Sequence, residues 1–235
     1  MTPSDIAGLK LWLKADAITG LVDTDPVTTW PDSSGLGNDA TQATAAKKPT
    51  YQTNELNGKP VVRFDGTDDF LGTLLAWMPL VTVFVGYMNR AGVNGSFIGT
   101  NASSGPLLRN QAMFPSDAGS SFALTGTLNA NRLLTLAWNY TTDNYKVYLD
   151  GILDTTGTVL HSNTTEALEI GTNRSNGEFL NGDIAEVIIY DSILSEVDRN
   201  ALGGYIESKY GITVAGATFP EGAGITGITD ITTIT

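Results

Sequence analysis

The chain has 235 residues, 41% hydrophobic and 16% charged, with 26 glycines, no cysteine and a formal net charge of −12. One substantial core fits this length, and an all-β sandwich of this size is commonly a single domain. The acidic balance, in which Lys47-Lys48 is the longest basic run, excludes a nucleic-acid partner, and the missing cysteines exclude a disulfide framework and thiolate chemistry.

"MTPSDIAGLKLWLKAD" opens the chain without a basic-then-apolar leader, and no apolar run reaches membrane-span length, so we expect a soluble protein with no membrane partner and no export signal. Thr2-Pro3-Ser4-Asp5 reads as one short helical turn, with Thr2 as its N-cap. "LKLWL" follows as the first strand, Leu9, Leu11 and Leu13 on one face and Lys10, Trp12 and Lys14 on the other. "WPDSSGLGNDATQ" reads as loop. "KPVVRFDGTDDFL" gives a strand, a turn at Asp65-Gly66 and a further strand. "LVTVFVGYM" is apolar on both faces, as expected of a strand buried on both sides.

"SFIG", "SFALT" and "RLLTLAWNY" continue the pattern. "NYKVYLDGILD" is a hairpin turning at Asp150-Gly151, the pair favoured by a type I′ turn. "LEIG" and "GDIAEVIIYD" add two strands. One helix follows, with Ser195 as N-cap, Val197, Ala201, Tyr205 and Ile206 as its apolar stripe, and Gly211 as its stop. Gly203-Gly204 inside it costs about 1 kcal/mol per residue against alanine, so packing must hold that helix.

Taken in order, "GLKLWLKAD", "WPDSSGLGNDATQ", "LNGKPVVRFDGTDDFL", "YKVYLDG", "IGTN" and "FLNGDIAEVIIYDSILSEVDRNALGGYIESKYGI" resemble concanavalin A-like domains of the laminin-G type over about residues 3 to 214. The resemblance implies an all-β fold: a two-sheet antiparallel jelly-roll sandwich with one helix near its C-terminal side. Residues 1–214 would form the jelly roll and residues 215–235 an extended Gly/Thr/Ile tail. The family's fold hosts lectins, glycosidases, adhesion modules and virus structural proteins, so function rests on residues.

Glycosidases of this fold carry a Glu-x-Asp-x-Glu or Glu-x-Asp-x-x-Glu strand, which places two carboxylates on one face. Neither Glu166/Glu169 nor Asp183/Glu186 has that pattern, and Asp65, Asp68 and Asp69 surround a glycine turn as turn-forming carboxylates, so we expect no enzyme. His161, the one histidine, lies in a polar loop and is set aside as a catalytic base. The family's structural calcium uses an Asp where this chain has Ala185. Asp183 with loop carbonyls is the remaining way to hold such an ion, and no other cofactor is expected.

For glycans, an exposed aromatic with amide and guanidinium neighbours is the usual arrangement. Trp77, placed before the bend at Pro79, is the aromatic expected at the surface. Asn101, Asn173, Arg174 and Asn176 are the expected contacts, the last three in the loop "TNRSNGE".

After Gly211 the composition shifts. "AGATFPEGAG" reads as a connector, and Ile225, Ile228, Ile231 and Ile234 then recur every third residue, a spacing that fits neither a helix nor a half-buried strand. Such a segment suits winding with copies of itself, as a homotrimer, or lying in a groove of a capsid or tail protein. The expectation is a virion protein of the bacteriophage decoration or tail-fibre type, with glycans as possible ligands. The alternatives are a carbohydrate-binding module of a bacterial surface or secreted protein, and third a glycoside hydrolase.

Overall fold

The computed structural model describes residues 1–78, 80–89, 95–100, 107–109, 112–114, 122–123, 130–139, 141–158, 166–173 and 177–218. The strands begin with β1 (Leu9–Lys14), β2 (Thr29–Trp30), β3 (Ala40–Thr41), β4 (Thr50–Leu56), β5 (Lys59–Asp65) and β6 (Leu71–Ala76). Next come β7 (Leu80–Asn89), β8 (Ser96–Thr100), β9 (Leu107–Arg109), β10 (Ala112–Phe114), β11 (Phe122–Ala123) and β12 (Asn131–Asn139). The last are β13 (Asn144–Leu149), β14 (Ile152–Thr158), β15 (Ala167–Ile170), β16 (Thr172–Asn173), β17 (Glu178–Phe179) and β18 (Asn181–Tyr190), followed by helix α1 (Glu196–Tyr210).

The strands form two antiparallel sheets packed face to face, the expected jelly-roll sandwich. One sheet runs β14-β13-β12-β7-β18-β5-β4, with β1 also paired to β18. The other runs β11-β10-β9-β8-β15-β6-β3-β2, and β16 and β17 form a separate ribbon. Alternation along each strand supplies the inter-sheet core: Leu11, Leu13, Phe64, Leu134, Leu136 and Trp138 from the first sheet meet Trp30, Leu71, Ile98, Leu168 and Ile170 from the second. Trp30, at the head of the sequence read as loop, is fully buried in it.

A second core covers the outer face of the first sheet, where α1 lies on β18, β5 and β12 with Leu202, Ile206 and Tyr210 against Ile188, Tyr190, Val61 and Leu133. This explains why "AEVIIY" is apolar on both faces. A register shift between Ile184 and Glu186 marks a β-bulge. It switches the parity of β18, so Ile184, Val187 and Ile189 face the sandwich interior while Ala185 and Ile188 lie under the helix.

Local signals hold where geometry demands them. Asp150 and Gly151 have φ of 50° and 80°, the positive pair a type I′ turn requires. Ser195 accepts from Asp198 N, and Gly211 caps α1 in the left-handed region. One expectation needs correction. Val197 is 73% exposed, because the buried stripe of α1 is set by Ala201, Leu202, Ile206 and Tyr210, leaving the first turn out in solvent. The first residues assigned to the tail are docked on the domain: Ala215 N donates to Asp150 O at 2.8 Å and Thr218 N to Asn200 O at 2.9 Å.

That docking accounts for the glycine pair inside α1. A Cβ on Gly204 would lie 1.9 Å from Thr218 O, and one on Gly203 would lie 2.8 Å from a Val214 methyl. The segment 212–218 crosses the helix in the space that missing side chains leave. Ile225, Ile228, Ile231 and Ile234 lie outside the described residues.

Candidate functional site

Of the residues expected to bind glycans, Trp77 and Asn173 are described, and both are buried. Trp77 is buried, at 8% exposure: its backbone N–H donates to Glu166 O and its ring meets Trp138 edge-on, centroids 6.2 Å apart, closing one end of the inter-sheet core. The break before Pro79 reads in sequence as a bend toward solvent, whereas the ring turns inward to fill the end of the sandwich. Asn173 is also buried, paired with Glu178 across the β16–β17 ribbon and packed over Gly99, where a side chain would meet Thr172 O at 2.5 Å. Asn101, Arg174 and Asn176 lie outside the described residues.

Asp183 is held by another charge. Arg63 Nε and Nη2 donate to its two carboxylate oxygens at 2.7 and 2.9 Å, a bidentate pair on neighbouring strands β5 and β18. This bonding, with Glu55 at 2.8 Å, raises the Arg63 pKa. Ala185, at the place of the family's calcium-ligating Asp, is fully buried beneath α1.

The residues best able to offer metal ligands are Asp65, Asp68 and Asp69, whose carboxylates lie within 4.8 Å of one another. They are also turn formers, as expected. Asp65 Oδ1 accepts from Thr67 N at 2.8 Å, and Asp69 Oδ2 accepts from Asp65 N at 3.0 Å. Burial, and next the Asp65 charge, push the Asp69 pKa up to about 6. Three carboxylates supply only part of the 6–8 oxygens that Ca²⁺ takes.

An open groove of about 610 Å³ does offer a binding surface, on the outer face of the first sheet beyond the start of α1. Its floor follows from strand alternation: Leu136, Trp138, Tyr145 and Val147 face the core, leaving Ala137, Asn139, Asn144, Lys146 and Tyr148 outward. The register Ala137↔Lys146 and Asn139↔Asn144 sets these side by side. Arg199 comes down from α1, its guanidinium 4.5 Å from the Tyr148 ring centroid, and is steadied by donating to Leu194 O at 3.0 Å.

The groove carries polar groups ready for a ligand. Asn139 Oδ1 is engaged by Thr141 N at 2.9 Å and Asn144 Oδ1 by the Thr158 hydroxyl at 3.1 Å. Their Nδ2 groups make no bond to the described residues and present two free donors. Lys146 and Glu196 also line the groove, without an ion-pair partner among the described residues. Such a set of amides, two cations, one anion and an aromatic edge can bind a polyhydroxylated ring. Sequence reading passed over it because Tyr148 and Arg199 are 51 residues apart, counted from their numbers in the chain. The outward parity of β13 was nonetheless readable from "NYKVYL".

With this geometry in place, comparison with known proteins is informative. A family model described as the concanavalin A-like lectin/glucanases superfamily matches residues 97–198. No curated protein matches the sequence. Among solved structures, domain 4 of AbnA, a GH43 extracellular arabinanase from Geobacillus stearothermophilus in complex with arabinotriose, aligns with TM-score 0.59 at 14% identity, covering 80% of this chain and 95% of that one. Trypanosoma rangeli sialidase in complex with sialic acid gives 0.57 at 16% identity, covering 87% of this chain and 34% of that one. The Botulinum neurotoxin serotype D ligand binding domain in complex with N-acetylneuraminic acid gives 0.56 at 14%, covering 83% and 50%. The chain thus matches one excised domain almost fully and spans half or less of the other two. Its architecture is a two-sheet jelly-roll sandwich, similar over residues 97–198 to the concanavalin A-like lectin/glucanases superfamily.

Proposed function

We propose that this chain is a non-enzymatic, glycan-binding jelly-roll protein displayed on a bacteriophage capsid or tail and attached through residues 219–235. The observation that carries the binding half is the groove between β12, β13 and the start of α1, where Asn139, Asn144, Lys146, Tyr148, Glu196 and Arg199 converge. Structural neighbours holding arabinotriose or sialic acids support the same chemistry. A non-enzymatic role fits a groove lined by one carboxylate, Glu196, because glycoside hydrolysis ordinarily employs two.

Attachment is supported by the period-three isoleucines, Ile225 to Ile234, and by the docked segment 212–218, which delivers the chain to a fixed point beside Asn200. A second reading, a carbohydrate-binding module of a bacterial surface or secreted protein, is favoured by the near-complete coverage of an arabinanase domain. The two readings part on assembly. Light scattering on the full chain beside a version ending at Thr218 should give a trimer and a folded monomer. Two monomers would leave the module reading standing. A glycan array followed by Tyr148→Ala and Arg199→Ala tests the groove, and retention of every array signal in both variants would refute its role.

A further inference from the structure

At the other end of α1 lies a second cleft, of about 460 Å³, which the groove does not include. Its walls are Trp12 and Lys14 from β1, Lys59 from β5, and Tyr205, Ser208 and Lys209 from the last turns of the helix. Trp12 and Tyr205 meet edge-on, ring centroids 6.3 Å apart. Both are fixed from beneath by one carboxylate. Glu186, with its side chain wholly buried, accepts from Trp12 Nε1 at 2.5 Å, Tyr205 OH at 2.9 Å, Tyr210 OH at 2.5 Å and Lys209 Nζ at 2.9 Å.

The charge pattern of this cleft runs against that of the molecule. Lys209 stands between two carboxylates, the buried Glu186 and, at 3.0 Å, Asp16, which also lines the cleft. Lys14 and Lys59 have no carboxylate partner among the described residues. Lys14 stands 4.3 Å from the Trp12 ring centroid, a position that orders its long side chain. Three lysines against the two carboxylates Asp16 and Glu186 leave the side chains of this cleft with a net charge of +1, in a protein of net charge −12, a local positive site that attracts an anion. Ser208 adds a hydroxyl that makes no hydrogen bond among the described residues. The volume is that of a small-molecule site and takes one or two sugar rings.

We propose that this cleft binds a carboxylated sugar residue, its carboxylate held between Lys14 and Lys59 and its ring against Tyr205, which Trp12, itself only 8% exposed, backs edge-on. Glu186 is a positioning residue: it touches no ligand and holds both aromatic walls. The site is separate from the groove at the start of α1 and stands whether or not that groove takes a ligand.

Isothermal titration of the full chain with trigalacturonate, 3′-sialyllactose, neutral maltotriose and sodium sulfate tests this. We expect at least one carboxylated probe to bind, maltotriose not to bind at the cleft, and affinity to fall as salt rises. Lys14→Ser/Lys59→Ser should lower that affinity tenfold or more while melting like the parent, because neither lysine supports an ion pair. Tyr148→Ala should leave it unchanged. The proposal is overturned if neither carboxylated probe binds, if binding survives the double lysine variant, or if Tyr148→Ala abolishes it, which would place the acid in the groove. Sulfate binding as tightly as the sugars would overturn the sugar assignment and leave a bare anion site.

Discussion

Glu186→Leu is the sharpest perturbation of the second core. The wild-type carboxylate receives hydrogen bonds from an indole, two phenols and an ammonium, all beneath or beside α1. Replacing it leaves Tyr210 OH with only a 3.5 Å contact to Ala185 O, and leaves Trp12 Nε1 without its acceptor. A buried donor left unsatisfied costs about 1–3 kcal/mol, and removing one member of a buried ion pair about 3–5 kcal/mol. Lys209 keeps Asp16, and leucine restores apolar contact, so the net loss should be about 4 kcal/mol. For a domain of this size each kcal/mol moves Tm by about 2–4 °C, giving a drop of about 8–16 °C. Urea unfolding monitored by tryptophan fluorescence gives the free energy and calorimetry the Tm. Adding Lys209→Met should recover part of the loss, since it removes the stranded cation. A Glu186→Leu protein within 1 kcal/mol of wild type would refute the reasoning, because the bonds would then contribute no more than an apolar contact.

Three further outcomes follow from the same structure. Gly204→Ala should destabilise by about 2 kcal/mol despite alanine's helix preference, because its Cβ would displace Thr218 O; a rise in Tm would mean that segment 212–218 is not docked as described. Asp69→Asn should raise stability at pH 7.5 by at most about 3 kcal/mol and have no effect near pH 4. The sign follows from a folded pKa of about 6 against 3.8: the charged form's penalty is complete above 6 and absent below 3.8, and a Tm difference unchanged between the two pH values would contradict it. Tyr190, Tyr205 and Tyr210 all have raised pKa values, chiefly through burial, so their contribution is intact below the ordinary 10.0 and is lost as pH rises beyond it. Stability should then fall by about 1.4 kcal/mol per pH unit for each proton the fold retains, and a melting profile flat from pH 10 to 11.5 would rule this out.

What the sequence made legible was set by short-range physics. Alternation in "LKLWL" and "NYKVYL", the positive-φ pair Asp150-Gly151 and the Ser195 and Gly211 caps are local constraints that few arrangements satisfy. What it concealed depended on contacts between distant segments. The bulge at Ala185-Glu186 reverses the parity of β18, and no residue type in "DIAEVII" announces it, so Glu186 could not be placed under the helix. Trp77 was misjudged for a related reason: its neighbours in sequence are a strand end and a proline, but its environment is Trp138, 61 positions away by their numbers. Gly203-Gly204 was correctly seen as needing support from packing. Only the crossing of residues 212–218 shows what that packing is.

The fastening of that crossing segment determines how the domain would bear a load. A pull on Thr218 acts first on its bond to Asn200 and then on the bond from Ala215 to Asp150. Asp150 is itself locked to β12: its amide donates to Leu133 O, its Oδ1 accepts from Leu133 N at 2.8 Å, and its other oxygen pairs with Arg132. Tension entering at the C-terminal end is therefore handed to an interior strand of the first sheet before it can peel α1 from its seat. A domain tethered through its last residues would resist being unravelled from that end.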